Sequence, residues 1–292
     1  MGNTGEGGAL SVSLTVPIYV SSLNHPPRVG REEGLILDGV ENEKIKVDGI
    51  VVVDQDAGDG RLRMTIEALY GKAHFGGAYS GLEIEEEDSL LGTTIDLHGT
   101  LQALNKALED LSFIPDNHSN AMNVDGLASL NVTVNDLGLS GEGGAQQSEP
   151  LIIHMIFEAV NDGPLLHLPD HFAAREDVPL FVPGISVSDT DSDEPGGDGL
   201  MEISLSVGNG TLALVSTGSV CSAGALAGPS ITFQGSQNTI NDALTGLVYL
   251  GTPDWSGPDI LSLNITDLGN VGTGGSLAAS GRVQVTVLPV ND

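Results

Sequence analysis

The chain has 292 residues, with 40 glycines, 14 prolines and only 4% aromatics. It carries 40 acids against 10 bases, a net charge of −30. That balance excludes nucleic-acid binding by phosphate neutralisation and disfavours an anionic membrane surface. The single cysteine, Cys221, excludes an intramolecular disulfide, and no apolar run reaches transmembrane length.

Residues 2–23 open the chain with a glycine-rich turn and an alternating apolar run. The same pattern, a glycine-rich segment, a strand and then a short junction, recurs at residues 138–164 and 269–292. The junction asparagines Asn24, Asn161 and Asn291 lie 137 and 130 residues apart. A period this long means whole domains in tandem. The expected division is 1–23, the last hairpin and strand of a truncated preceding repeat; 24–162, a full repeat; and 163–292, a second full repeat. Val16, Ile18 and Val20 align with Val283, Val285 and Val287 as an inward face. Without a sheet of its own, the first strand is expected to fray, to pack on repeat one, or to add to another molecule's edge. The opening residues lack the basic and apolar regions of a secretory signal, and a start inside a repeat reads as a fragment or an incomplete gene model.

Within repeat one, residues 44–56 match residues 179–191 of repeat two at a constant offset of 135. Residues 50–53 and 185–188 read as strands with every second residue on one face. Residues 63–71 and 202–210 follow as strands ending in a glycine turn, after repeat two has gained four residues near 192–195. Leu101, Leu104, Leu108 and Leu111 have the spacing of an amphipathic helix, with Thr100 as N-cap. Ile240, Leu244 and Leu247 do the same in repeat two, capped by Ser236 or Asn238. Strands then follow at 130–134 and 151–157, and at 261–265 and 283–287. Asp136 and Asp267 sit at matched positions and suit Asx turns that cap the glycine-rich hairpins at 137–144 and 268–275. The fold class is all-β: tandem Greek-key β-sandwiches of the immunoglobulin or cadherin-like kind, each with one short helix.

Asp54 and Asp56, like Asp189 and Asp191, stand two apart at a strand end. An extended strand puts both carboxylates on one side, about 6–7 Å apart. A hard cation taking six to eight oxygens suits such a pair, which favours calcium over zinc. The competing explanation is that Asp is simply a favoured turn residue. Asn161 and Asp162 add oxygens, and Glu41 and Glu176 align near the start of each repeat. A site made of Glu41, Asn161, Asp162, Asp189 and Asp191 would draw on both repeats. The first junction has His25 where the second has Asp162, which counts against calcium there. Asp193 completes a D-x-D-x-D run, but the loop lacks Gly at its sixth place (Glu194) and Glu at its twelfth (Leu200), as an EF-hand needs.

Other motifs lead away from catalysis. His167 and His171 are separated by Pro169, so they make no helical zinc face. No nucleophile elbow or phosphate-cradling loop appears. Trp255 reads as loop packing rather than as a sugar platform. Sequons stand at Asn117, Asn131, Asn209 and Asn264, with Asn131 and Asn264 facing outward.

The order of residues 175–180, 187–191, 207–212, 238–247, 265–270 and 273–292 resembles the tandem cadherin-like repeats of large surface proteins. The chondroitin-sulfate-proteoglycan (CSPG) type and its bacterial adhesin relatives are most similar. The Leu-Asp-Arg-Glu string that supplies ligands in true cadherins is missing. The resemblance implies a non-enzymatic extracellular or cell-surface module, an adhesive or spacer stalk rigidified by calcium. Its partners would be other repeats of the same chain and a cell-surface or matrix protein or glycan. Two alternatives are an accessory module of a larger secreted polysaccharide-active enzyme, and a carbohydrate-binding sandwich; the scarcity of aromatics counts against the latter.

Overall fold

The computed structural model describes residues 11–77, 79–84, 90–120, 127–138, 141–215, 220–221 and 226–291. The glycine-rich turn expected at 2–8, and Leu139, Ser140 and Asp292, lie outside the described residues. Repeat one holds β1 (Arg28–Arg31), β2 (Ile36–Val40), β3 (Ile45–Lys46), β4 (Ile50–Val53), β5 (Arg61–Leu69), β6 (Gly71–Phe75), β7 (Leu82–Ile84), β8 (Leu91–Gly92), β9 (Thr94–Thr100), α1 (Leu101–Leu108), β10 (Leu111–Pro115), β11 (Ala128–Asn135) and β12 (Leu151–Glu158). Repeat two holds β13 (Leu165–His167), β14 (His171–Arg175), β15 (Leu180–Phe181), β16 (Ser186–Ser188), β17 (Leu200–Ser206), β18 (Gly210–Leu214), β19 (Ala227–Gly228), β20 (Ser230–Ser236), α2 (Gln237–Thr245), β21 (Leu247–Gly251), β22 (Gly257–Thr266) and β23 (Ala278–Leu288).

Each repeat is a two-sheet sandwich with a further antiparallel pair of strands, β1-β4 in repeat one and β13-β16 in repeat two. In repeat two the larger sheet runs β14-β23-β22-β17-β20 and the smaller β15-β21-β18-β19. Repeat one has the same plan, β2-β12-β11-β5-β9-β7 over β3-β10-β6-β8, with β7 as an added edge. In both, an early strand pairs parallel to the last one: β2 with β12 and β14 with β23. The alternation read from the sequence is the burial pattern observed. On β22, Leu261, Leu263 and Ile265 are buried while Asn264 is exposed. Each repeat closes its own core between its two sheets, one around Met64, Phe113 and Phe157, the other around Ile203, Phe233 and Tyr249.

Both helices are shorter than their leucine spacing predicts. Thr100 and Ser236 are the N-caps, each accepting from the backbone three residues on (3.3 Å each). Leu111 and Leu247, however, stand on β10 and β21, because the chain turns at Glu109–Asp110 and at Gly246. Their burial comes from the strand they begin. Residues 11–22 take no strand and are exposed; Val16, Ile18 and Val20 are 67–89% exposed, so these side chains do not pack on repeat one. Among the described residues no helix is long and apolar enough to cross a membrane.

The glycine-rich hairpins have a definite task. Each receives the chain entering its own repeat. Asn161 N donates to Thr273 O (2.8 Å) and Thr273 N to Ala159 O (2.9 Å); Asn24 N donates to Glu142 O (2.9 Å) and Glu142 N to Ser22 O (2.8 Å). Gly272 adopts φ +93°, and a Cβ there would lie 2.6 Å from Asn161 N and from Val160 C. Gly275 adopts φ +70° with nothing within 4 Å of such a Cβ. Gly275→Ala should therefore cost only the left-handed penalty, about 1–2 kcal/mol. Gly272→Ala adds a backbone clash and should cost more. Urea unfolding of the two variants checks the order, and equal losses would contradict the cradle.

Candidate metal centre

The three linking residues 160–162 are each held by an acid. Glu41 follows β2, and its Oε1 accepts from Val160 N (2.7 Å). Asn161 Nδ2 donates to Asp267 Oδ2 (2.6 Å) and to Gly275 O (3.0 Å). Asp162 N donates to Asp191 Oδ2. Glu41 belongs to repeat one; Asp191 and Asp267 belong to repeat two. The link is gripped from both sides.

Asp136 and Asp267 are the Asx turns expected of them. Asp267 Oδ1 accepts from Gly269 N and Leu277 N (2.8 Å each), and Asp136 Oδ1 from Gly138 N (2.9 Å) and Gln146 N (2.7 Å). Their second oxygens take the junction asparagines: Asn161 on Asp267, and Asn24 on Asp136 at 2.7 Å.

The acid pairs differ from the flat-strand expectation. The strands end at Val53 and Ser188, and the first Asp of each pair folds back on the second. Asp54 Oδ1 accepts from Asp56 N (2.9 Å), and Asp189 Oδ1 from Asp191 N (3.0 Å). The Asx turn has won over strand continuation, as short acidic side chains favour. What aims the pairs is an amide on each helix. Asn241 Oδ1 accepts from Val187 N (2.8 Å) and its Nδ2 donates to Val187 O (2.9 Å); Asn105 does the same to Val52 at 2.8 and 2.9 Å. Each amide serves as a missing neighbour for the strand that leads to the acids.

Oxygens of Glu41, Asp162 and Asp191 all lie within 4.8 Å of one another. Asn161 and Asp189 are buried and adjoin this group in the chain. Asn161 Oδ1, Asp189 Oδ2 and Asp191 Oδ1 are buried oxygens with no hydrogen-bond partner among the described residues. Burying a polar atom unpaired is costly, and such a set of oxygens suits a cation or a hydrogen-bond donor such as water. Asp162 Oδ2 also lies 2.7 Å from His118 Nδ1 of repeat one. Burial, aided by the charges of Asp162, Glu194 and Asp189, pushes the Asp191 carboxyl up to about 6, against the hydrogen bond from Asp162 N. Burial likewise raises Asp189, with Asp267 and Asp162 adding to it.

The remaining sequence candidates are not brought into this group. Glu176 sits at the far end of repeat two, where its Oε1 accepts from Val290 N (2.6 Å), as Glu41 does from Val160. Asp193 is exposed. Asp54 and Asp56 lie at the first junction, where Asp56 Oδ2 accepts from His25 N and contacts His25 Nδ1 (2.8 Å each). The imidazole stands where the second junction has a carboxylate, and it holds the Asp56 carboxyl below its usual range. Asn24 Oδ1 and Asp54 Oδ2 are buried without partners among the described residues, as their counterparts are. Trp255 packs partly buried against the repeat-two core. Sequence reasoning missed Asn120 and Glu194: Asn120 Nδ2 donates to Glu41 Oε2 (2.8 Å) and to Glu194 Oε1 (2.9 Å). The only signal for Glu194 was its place in the four-residue insertion.

No protein-family model and no curated protein sequence matches the chain. Among solved structures, extracellular cadherin domains 1–5 of protocadherin gamma B2 align over 94% of it, at 17% identity and a TM-score of 0.37. Domains 3–6 of the same protein align over 92%, at 15% and 0.35. Mouse cadherin-23 EC22–24 aligns over 92%, at 13% and 0.33. The chain spans 42%, 51% and 68% of those three chains. These are likenesses at low identity and do not show a family.

The raised Asp191 carboxyl has a signed consequence. Its folded pKa of about 6 exceeds the ordinary 3.8, so between those values the folded state holds a proton that the unfolded state has lost. Its contribution to stability therefore falls as pH rises through 6. In chelator, the melting midpoint of the wild type should rise more between pH 7 and pH 5 than that of Asp191→Asn. Equal slopes would contradict the buried, crowded carboxylate.

Proposed function

We propose that the chain is a non-enzymatic repeat module of an extracellular or surface protein. It serves as an adhesive or spacer stalk whose second joint is stiffened by calcium. The observation that carries this reading is the convergence of Glu41 from repeat one with Asp162 and Asp191 at the link, beside buried oxygens that no other described residue satisfies.

The donor set fits a hard cation. Glu41, Asp162 and Asp191 would supply carboxylate oxygens, with Asp189 and Asn161 as further oxygen ligands. The ion would neutralise acids that otherwise repel at short range in a partly dry site. The chain's own residues set the geometry. Glu41 fixes Val160, Asp267 fixes Asn161 and Asp191 fixes Asp162, so the ligands of two domains share one short link. An ion bound to both sides costs the joint its freedom to bend. The same logic assigns Glu176 to a following junction and gives Asp54 and Asp56 a weaker role, because His25 already occupies Asp56.

A thermal melt tests this directly. Calcium at about a hundredfold over Kd should add about 2.7 kcal/mol to the folded state through preferential binding. The midpoint should rise and saturate with calcium, and Asp189→Asn/Asp191→Asn should abolish the rise. A midpoint that ignores calcium in the wild type would leave only a solvated acidic surface.

A further inference from the structure

Repeat two carries four residues near 192–195 that repeat one lacks. The insertion sits against the joint. Glu194 N donates to Asp191 O (3.1 Å), closing the short 3-10 turn Asp191–Asp193. The Glu194 carboxylate then meets Asn120, which follows β10 in repeat one and is 1% exposed. Asn120 Nδ2 lies 2.8 Å from Glu41 Oε2, 2.9 Å from Glu194 Oε1 and 3.2 Å from Glu194 Oε2. A primary amide nitrogen carries two hydrogens. One is directed to a carboxylate of its own repeat and the other to a carboxylate of the neighbour. Hydrogen bonds to ionised acceptors are the stronger kind, and this donor is shielded from water.

We propose that Asn120 and Glu194 form a strut across the joint that works without a cation. The donor comes from repeat one and the acceptor from the insertion in repeat two. Repeat one has no such insertion and so offers no counterpart of Glu194 at the first junction. The strut restricts the angle between the repeats before any ion arrives. It also makes Asn120 a positioning residue. By holding Glu41 Oε2, it leaves Oε1 on Val160 N and keeps the Glu41 carboxylate beside Asp162 and Asp191. The restriction itself does not depend on the calcium reading; only the alignment of Glu41 for an ion rests on it.

The test is a distance distribution in chelator. Nitroxides at the exposed positions Lys72 and Thr245, one on each repeat, are placed in a Cys221→Ser background and read by pulsed dipolar spectroscopy. The wild type should give a narrow distribution without metal. Glu194→Ala and Asn120→Ala should each broaden it at least twofold. Glu194 is only half-buried, so its variant tests the strut even if loss of the buried Asn120 disturbs repeat one. Distributions as narrow as wild type in Glu194→Ala, or a wild type already as broad as the variants, would overturn the strut. Adding calcium to Glu194→Ala should narrow the distribution again, since Glu41, Asp162 and Asp191 remain. If it stayed broad, that would count against the cation-bound joint and leave the strut standing.

Discussion

Three consecutive residues, Val160, Asn161 and Asp162, carry the connection between two domains that close their cores separately. Each gives a nitrogen to a carboxylate: Val160 and Asp162 from the backbone, Asn161 from its side chain. Using one oxygen of an acid to hold the chain leaves the other to be satisfied. At Asp191 that second oxygen is buried and has no partner among the described residues. The link is therefore both the structural tie and the source of the electrostatic debt at the joint. On the proposed function, a divalent cation would balance those acids, which would account for a short linker and a cluster of acids occurring together.

Much of this was legible in the sequence because it is written twice. The offset of 135 placed Glu41 opposite Glu176 and Asp54/Asp56 opposite Asp189/Asp191. The glycine-rich hairpins announced Asp136 and Asp267 as turn residues. The strands were readable from alternation because each buries one face in a single core. What failed was local. The leucine stripe does not say where a helix stops, so Leu111 and Leu247 were drawn into helices when they begin strands. Two aspartates at a strand end look like a flat pair until the chain turns, and then the first accepts from the second.

Apart from Glu194, the missed residues are amides. Asn105 and Asn241 occupy matched positions in the two helices, and that recurrence was the available signal for their role as stand-in strand partners. Asn120 had no such signal, since its importance comes from a contact 74 residues away with Glu194. Long-range polar contacts leave no period. The two junctions also show how one position changes the chemistry of a repeated device: with His25 in place of Asp162, an imidazole occupies the acid that the second junction leaves in part unpaired.

The most direct test of the account is an experimental structure of this chain with calcium present. The account predicts an ion at the second junction bonded at about 2.3–2.6 Å to Glu41 of repeat one, to Asp162 of the link and to Asp191 of repeat two. A well-ordered junction without an ion, or an ion held by repeat two alone with Glu41 turned away, would contradict it.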